Sequence, residues 1–255
     1  MGDIYFYHMD IKQYLDSTYL KTALQAGISR EQDIDKVLSV IGEAVAEKFK
    51  LVMIRPEHVA LAKDKIAMAG SSVLVGTVID FPLGTGTLEE KLAEAEKAIS
   101  DGADELDFVI NYTAFRQGDT ARVRKEVIAC TRLCRDNGKT VKWIIEVAAL
   151  NGHEIVQLCA LIKNCVLSHF GEDDYAAVFV KSSTGFYVTE NGKPNGATIE
   201  TVKLMLENSF PLPVKAAGGV RSYKEAVEMI RLGVKRIGTS SAKEIATGQA
   251  ASGNY

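Results

Sequence analysis

Apolar positions along the chain fall into two alternating kinds of segment. The first kind is short and nearly continuously apolar: Leu51–Arg55, Val73–Ile79, Glu105–Ile110, Val141–Val147, Ala176–Val180, Val214–Ala217 and Arg236–Gly238. These runs are rich in β-branched and aromatic residues and are bounded by turn formers, which predicts strands covered on both faces, as in a parallel sheet. A shorter run around Tyr14–Asp16 precedes them and brings the number of predicted strands to eight. The second kind repeats apolar residues at helical spacing. Leu88, Leu92, Ala95 and Ile99 form one such stripe, with Gly102 as its stop; Val123 to Cys134 form another; Ile155, Leu158, Ile162 and Val166 a third; Ala226, Val227 and Ile230 a fourth, ended by Gly233. Strands alternating with helices predict an α/β fold with helices packed on a parallel sheet. An open, doubly wound sheet and a closed barrel both satisfy that pattern. Eight strands, a length of 255 residues and the lack of a Gly-x-Gly-x-x-Gly after the first strand favour a single-domain (β/α)8 TIM barrel over residues 11–250. Residues 1–10 are set aside as an N-terminal extension, with a second methionine at Met9 in keeping with a vector-derived origin, and residues 251–255 are expected to be a flexible tail.

Composition narrows the function classes. At 47% hydrophobic residues the chain can bury a large core, and a formal net charge of -3 without a basic run excludes nucleic acid as an expected partner. No apolar stretch approaches the roughly 18 residues that a bilayer span needs, so no membrane partner is expected. The four cysteines, Cys130, Cys134, Cys159 and Cys165, form no Cys-x-x-Cys and have no ligand-like spacing with the four histidines. They are expected to be buried, reduced thiols of a cytoplasmic protein, with no metal site.

Candidate chemistry collects where predicted strands end, because barrel active sites lie at the carboxyl ends of the strands. Lys181 ends the run Ala176-Ala177-Val178-Phe179-Val180 and opens Ser182-Ser183-Thr184-Gly185. Lys215 sits in Pro213-Val214-Lys215-Ala216-Ala217-Gly218-Gly219-Val220, about one strand–loop–helix unit later. A lone lysine near a strand end is ordinarily a snorkelling surface residue, but two, each followed by a glycine-rich stretch, predict a pair of amines facing one mouth. Two ammonium groups about 4 Å apart repel by about 4 kcal/mol at an effective dielectric near 20. That is roughly three pKa units, enough to bring a lysine from near 10.4 to about 7 and so make a neutral nucleophile able to form a Schiff base without a metal. On this reading Lys215 alone supplies most of the activation of Lys181. Asp107, inside an apolar run, needs a cationic partner, and the two lysines are the natural ones. Glu146 fits a structural role as well as a catalytic one, and Asp104 and Glu105 are expected to cap or to face solvent. Gly218-Gly219-Val220-Arg221 and Gly238-Thr239-Ser240-Ser241 follow the seventh and eighth strands, where exposed amides and the hydroxyls of Ser240 and Ser241 predict an anion site. Gly84 and Gly86 are read as a simple connection.

The two lysine segments together, Phe179-Val180-Lys181-Ser182-Ser183-Thr184-Gly185-Phe186 and Val214-Lys215-Ala216-Ala217-Gly218-Gly219-Val220-Arg221, resemble the 2-deoxyribose-5-phosphate aldolase family. The likeness runs over nearly the whole chain from Tyr14. It includes Leu15-Asp16-Ser17-Thr18-Tyr19-Leu20-Lys21, Phe81-Pro82-Leu83-Gly84 and Gly102-Ala103-Asp104-Glu105-Leu106-Asp107. The resemblance implies a metal-free class I aldolase that needs no cofactor beyond a covalent Schiff base on Lys181. It implies cleavage of 2-deoxy-D-ribose 5-phosphate to D-glyceraldehyde 3-phosphate and acetaldehyde, in deoxyribose catabolism. It further implies that Lys215 perturbs that amine, that Asp107 relays protons, and that the final Tyr255 exchanges a proton at C2 of the enamine. Gly185, Gly218, Gly219, Ser240 and Ser241 would hold the phosphate, and Asp16 and Thr18 would line the substrate site. A sugar phosphate and acetaldehyde are the expected partners, with a homodimer as a candidate assembly. Three positions depart from the family pattern: Ser182 and Val147 stand where threonine is usual, and Met53 where cysteine is frequent. A transaldolase-like enzyme, a pyridoxal-phosphate barrel using Lys181 and a non-catalytic sugar-phosphate-binding barrel are the competing readings.

Overall fold

A computed structural model describes residues 10–190 and 192–248. Eight parallel strands run in chain order: β1 Leu15–Thr18, β2 Leu51–Ile54, β3 Leu74–Ile79, β4 Glu105–Val109, β5 Thr140–Ile144, β6 Val178–Lys181, β7 Val214–Ala217 and β8 Arg236–Thr239. Each pairs with the next, and β1 pairs with β8, so the sheet closes into a barrel. The helices of the described chain are α1 Ala23–Ala26, α2 Arg30–Glu47, α3 Val59–Met68, α4 Leu88–Ser100, α5 Tyr112–Arg116, α6 Thr120–Asp136, α7 Gly152–His169, α8 Glu172–Tyr175, α9 Ile199–Ser209, α10 Tyr223–Leu232 and α11 Ala242–Thr247. The fold is a single-domain (β/α)8 barrel. Among the described residues no helix is long and apolar enough to cross a membrane.

Side chains alternate across each strand, so the closed sheet has an outer and an inner face with different jobs. Outward positions such as Val52, Ile54, Leu106, Phe108, Val141, Trp143, Val180 and Val214 join the helices in one large apolar core. Trp143 stacks on Phe108 and donates its indole N–H to the Thr131 hydroxyl of α6, which satisfies its polar end. Inside, a small apolar cluster of Leu20, Leu51, Met53 and Val78 fills the β2–β3 side. Charged side chains of β1 and β4–β8 fill the centre of the interior. Of the four cysteines, all are buried and free, and burial pushes the Cys134 and Cys159 thiols up to about 12, so they pack as inert apolar groups.

Some element ends differ from the sequence reading. β5 stops at Ile144 rather than Val147, because Glu146 adopts a left-handed backbone (φ 55°) that turns the chain into a short 3-10 helix. β6 begins at Val178, since Asp174 and Ala177 still share a helical turn after α8. Residues 1–9 and 249–255, with the expected N-terminal extension and tail, lie outside the described residues.

Candidate active site

Six buried ionic side chains close a ring of alternating charge inside the barrel. Lys142 Nζ lies 2.6 Å from both Glu105 Oε2 and Asp107 Oδ1. Glu105 Oε1 accepts from Arg236 Nη1 at 3.0 Å, and Asp16 Oδ1 accepts from Arg236 Nε at 2.8 Å and from Nη2. Asp16 Oδ2 lies 2.5 Å from Lys215 Nζ, which donates in turn to Asp107 Oδ2 at 2.8 Å. Asp16 Oδ2 and Glu105 Oε2 meet their ammonium partners as ion pairs outside hydrogen-bond angles. All six residues are at most 5% exposed. Register explains the closure: Asp107 stands beside Lys142, and Lys215 beside both Lys181 and Arg236, so inward side chains of β4, β5, β6, β7 and β8 meet on the axis.

Three carboxylates and three bases leave the ring neutral. Burial opposes ionisation of Asp107, yet Lys142, Lys181 and Lys215 together keep its carboxyl well below the usual range. Asp16 and Glu105 are likewise lowered against their burial by Arg236 and the ring lysines. Lys142 is raised against its burial by Asp107, Glu105 and Asp16.

Lys181 is the surplus cation. It donates to Asp107 Oδ2 at 2.8 Å, an oxygen already taken by Lys215. With no carboxylate of its own and only 3% exposure, its amine falls from 10.5 to about 8. Burial is the largest cause; the attraction of Asp107 opposes it, and the smaller repulsion from Lys215 and Lys142 adds to it. This corrects the sequence reading in which Lys215 does most of the work: the charge of Lys215 is shared by Asp16 and Asp107, and desolvation of Lys181 comes first.

Above the ring a pocket of about 110 Å³ opens at the carboxyl ends of β1 and β6–β8. Its wall includes Lys181, Thr18, Gly185, Gly218, Gly219 and Ser240. Arg221 and Asn195, which the sequence reading did not select, also line it. The lining holds two cations, Lys181 and Arg221, and no carboxylate, so it favours an anion. Gly218 and Gly219 have φ of 78° and 89°, a region that disfavours side chains, and their turn exposes backbone at the wall. Ser241 stands next to this lining, its amide donating to Thr239 Oγ1. Asp16 lies one inward position deeper than Thr18 on β1 and is fully buried in the ring. Met53 is also fully buried, beneath Leu20 of the wall. Tyr255 lies outside the described residues.

Sequence reasoning missed Lys142, Arg236 and Glu105. Glu105 does not face solvent but joins the ring, whereas Asp104, half-buried, pairs with Lys63 and accepts from the Val75 amide. The signal was present for Lys142, a lone charge in an apolar strand, which is the same signal that singled out Asp107. Among the described residues no three His, Cys, Asp or Glu side chains cluster as a metal site would need.

Comparison with known proteins agrees with this geometry. Residues 13–252 match the DeoC/LacD family aldolase description. The deoxyribose-phosphate aldolase of Thermococcus gammatolerans is 39% identical over 94% of this chain and 96% of that protein. Deoxyribose-phosphate aldolase 1 of Staphylococcus aureus is 39% identical over 97% of this chain and 100% of its own length. A tetrameric deoxyribose phosphate aldolase from Aeropyrum pernix superposes with a TM-score of 0.75 at 28% identity, covering 93% of this chain and 89% of that one. A surplus buried lysine at the mouth of such a barrel, in a sequence this close to these enzymes, places the chain in the DeoC/LacD family of aldolases.

Proposed function

We propose that the chain is a class I aldolase that reversibly cleaves 2-deoxy-D-ribose 5-phosphate into D-glyceraldehyde 3-phosphate and acetaldehyde, with Lys181 as the Schiff-base nucleophile. The observation that carries this reading is the position of Lys181: a lowered amine, one cation beyond a neutral ring, facing a pocket whose wall holds no carboxylate. The identity to deoxyribose-phosphate aldolases supports the substrate.

The chemistry follows from these residues. The neutral Lys181 amine attacks the aldehyde carbon of the open-chain sugar, and loss of water gives an iminium. A proton leaves the C3 hydroxyl through Asp107 or a water it orients, the C2–C3 bond breaks, and the iminium takes up the electron pair as an enamine. Glyceraldehyde 3-phosphate departs. Protonation at C2 and hydrolysis then release acetaldehyde and restore the amine. The iminium is the electron sink, so the reaction needs no further cofactor. Asp107, held so far below its ordinary pKa, can pass a proton on but not store one; Lys215 donates to the same oxygen and holds the carboxylate in place. Gly185, Gly218, Gly219, Ser240 and Ser241, with Arg221, are assigned to the phosphate, Thr18 to the sugar, and Asp16 to holding Lys215. Tyr255 is assigned to the C2 proton on the family resemblance.

Borohydride trapping with acetaldehyde, followed by peptide mass mapping, tests the reading. The adduct is expected on Lys181, and Lys181→Ala should lose both adduct and cleavage. Full activity in Lys181→Ala would overturn the assignment. Cleavage should survive EDTA. Tyr255→Phe should slow deuterium exchange into acetaldehyde while trapping at Lys181 stays intact.

A further inference from the structure

Beside the pocket, the proton count at Ser183 is informative. Its hydroxyl has one proton and meets three groups. Oγ accepts from the Gly185 amide at 3.0 Å, lies 2.7 Å from the Asn195 carbonyl oxygen, and lies 2.9 Å from Glu146 Oε1. A carbonyl oxygen can only accept, so the Ser183 proton belongs to Asn195. The contact with Glu146 is then a hydrogen bond only if Glu146 is the donor. The other carboxyl oxygen is consistent with this. Oε2 accepts from the Thr184 amide at 3.1 Å and from the Thr184 hydroxyl, whose own oxygen accepts from the Phe186 amide at 3.0 Å. Oε2 therefore behaves as the carbonyl oxygen, and Oε1 as the hydroxyl, of a neutral carboxylic acid.

The setting favours that form. Glu146 is 1% exposed, and no ion pair reaches it among the described residues. Its left-handed backbone (φ 55°) turns the side chain back between Ser183 and Thr184, a strained conformation in which a non-glycine residue needs a local reason. The titratable groups facing it are Lys181 on β6, which favours the carboxylate, and Tyr112 on α5, whose phenol is raised by burial and by the Glu146 charge. Burial outweighs Lys181 and the hydroxyl donors, and pushes the Glu146 carboxyl above its ordinary value.

Asn195 connects this acid to the anion pocket. The Ala197 amide donates to the Ala217 and Gly218 carbonyls at 3.1 and 2.9 Å. Gly196 packs so closely on Gly218 that a Cβ would come within 2.4 Å of the Gly218 oxygen. We propose that Glu146 is a positioning residue that works as a neutral acid: by donating to Ser183 it lets Ser183 hold the Asn195 carbonyl, and so clamps the β6–α9 loop against Gly218 at the phosphate end of the pocket. This rests on the aldolase reading above for its substrate. When Glu146 ionises, its carboxylate is the stronger acceptor and takes the Ser183 proton. The Asn195 carbonyl is then left facing lone pairs, and the clamp loosens as pH rises.

Glu146→Gln tests this, because an amide keeps a donor at one atom and an acceptor at the other but cannot ionise. The KM of wild type for 2-deoxyribose 5-phosphate, divided by that of Glu146→Gln at the same pH, should be near unity at low pH. It should climb about fivefold as pH is raised, the worth of one neutral hydrogen bond. Titration of the substrate phosphate cancels in the ratio. In wild type, the infrared C=O band of a protonated buried carboxyl should be present at low pH, vanish over the same range, and be missing from Glu146→Gln. Ser183→Ala should raise KM about fivefold at low pH and flatten its difference from wild type at high pH. A ratio that does not change with pH, an absent infrared band at low pH, or an undiminished pH dependence in Ser183→Ala overturns the proposal. The infrared measurement uses no substrate, so failure of the aldolase reading would appear separately, as lack of cleavage with the band intact.

Discussion

At the residue scale, the charge balance of the barrel interior sets Lys181 apart from the other buried lysines. Lys215 and Lys142 each touch two carboxylates, whereas Lys181 shares one oxygen with Lys215. Changing the ring's charge should therefore move the Lys181 amine. Glu105→Gln leaves an extra positive charge and should shift the pH profile of borohydride trapping downward. Arg236→Met leaves an extra negative charge and should shift it upward. A unit charge ~10 Å away at an effective dielectric near 20 is worth about 1.7 kcal/mol, or about one pKa unit. Shifts of the same sign in both variants would show that local distortion, not charge, controls the amine. The lowered pKa also has a stability cost. Below about 8 the folded chain must hold Lys181 charged without a carboxylate of its own, while the unfolded chain carries it freely up to its ordinary value of 10.5. Lys181→Met should thus stabilise the protein by about 3 kcal/mol below that pH, and the gain should fade as pH rises toward 10.5. Urea unfolding of both proteins across pH measures it. Lys181, Lys215 and Asp107, to which the proposed chemistry is assigned, were legible in sequence because each interrupts an apolar run. Arg236 was not, because a charge at the first residue of a short strand looks like a boundary.

At the scale of elements, the loops that shape the mouth are held by side chains far from it in sequence. The connection between β3 and α4 carries Phe81, which packs edge-to-face on Phe186 of the pocket wall at 5.0 Å, with the Arg55 guanidinium over its ring at 5.8 Å. Lys91 of α4, fully buried, donates to the Gly84 and Val109 carbonyls at 3.2 and 3.0 Å and pairs with Glu126 of α6 at 2.8 Å. The Gly84–Gly86 stretch read as a simple connection is thus tied down, and Gly84 is required because a Cβ there would meet the Ile110 oxygen at 2.5 Å. Lys91→Met leaves Glu126 buried beside only Arg122, a loss of about 3 kcal/mol. Thermal unfolding should show a fall of roughly 10 °C. Adding Glu126→Met should recover most of it, since an apolar pair can replace a buried ion pair. No recovery in the double variant would mean that the carbonyl contacts of Lys91, not the ion pair, hold the loop. Thr87 with Glu90, and Ser222 with Glu225, form the reciprocal capping bonds that their spacing encodes.

At the scale of the whole molecule, the barrel stacks one neutral ring, one surplus amine and one pocket without carboxylates along its axis. Selectivity for the phosphate should then depend on the pocket and not on the ring. Gly219→Val, which forces a side chain into φ 89°, and Arg221→Met should each raise KM for 2-deoxyribose 5-phosphate by about tenfold or more. Unphosphorylated 2-deoxyribose should be nearly unaffected, and equal losses for both sugars would assign these residues to turn formation alone. Met53→Cys should not speed inactivation by crotonaldehyde, because Met53 is fully buried under Leu20. The sequence by itself determined the alternation of strands and helices, the number of strands, the side of the sheet on which chemistry falls, and the two lysine segments. These are local patterns, set by burial on both faces of a strand and by turn chemistry in the next few residues. Only the tertiary structure decided that Asp16, Glu105, Lys142 and Arg236 form one ring with Asp107 and Lys215, that Asn195 and Arg221 reach the pocket, and that Glu146 meets Ser183. The physical reason is barrel closure: pairing β8 with β1 brings Arg236 beside Asp16 across 220 residues of chain, and a charge acquires its meaning only from the neighbours that such closure provides.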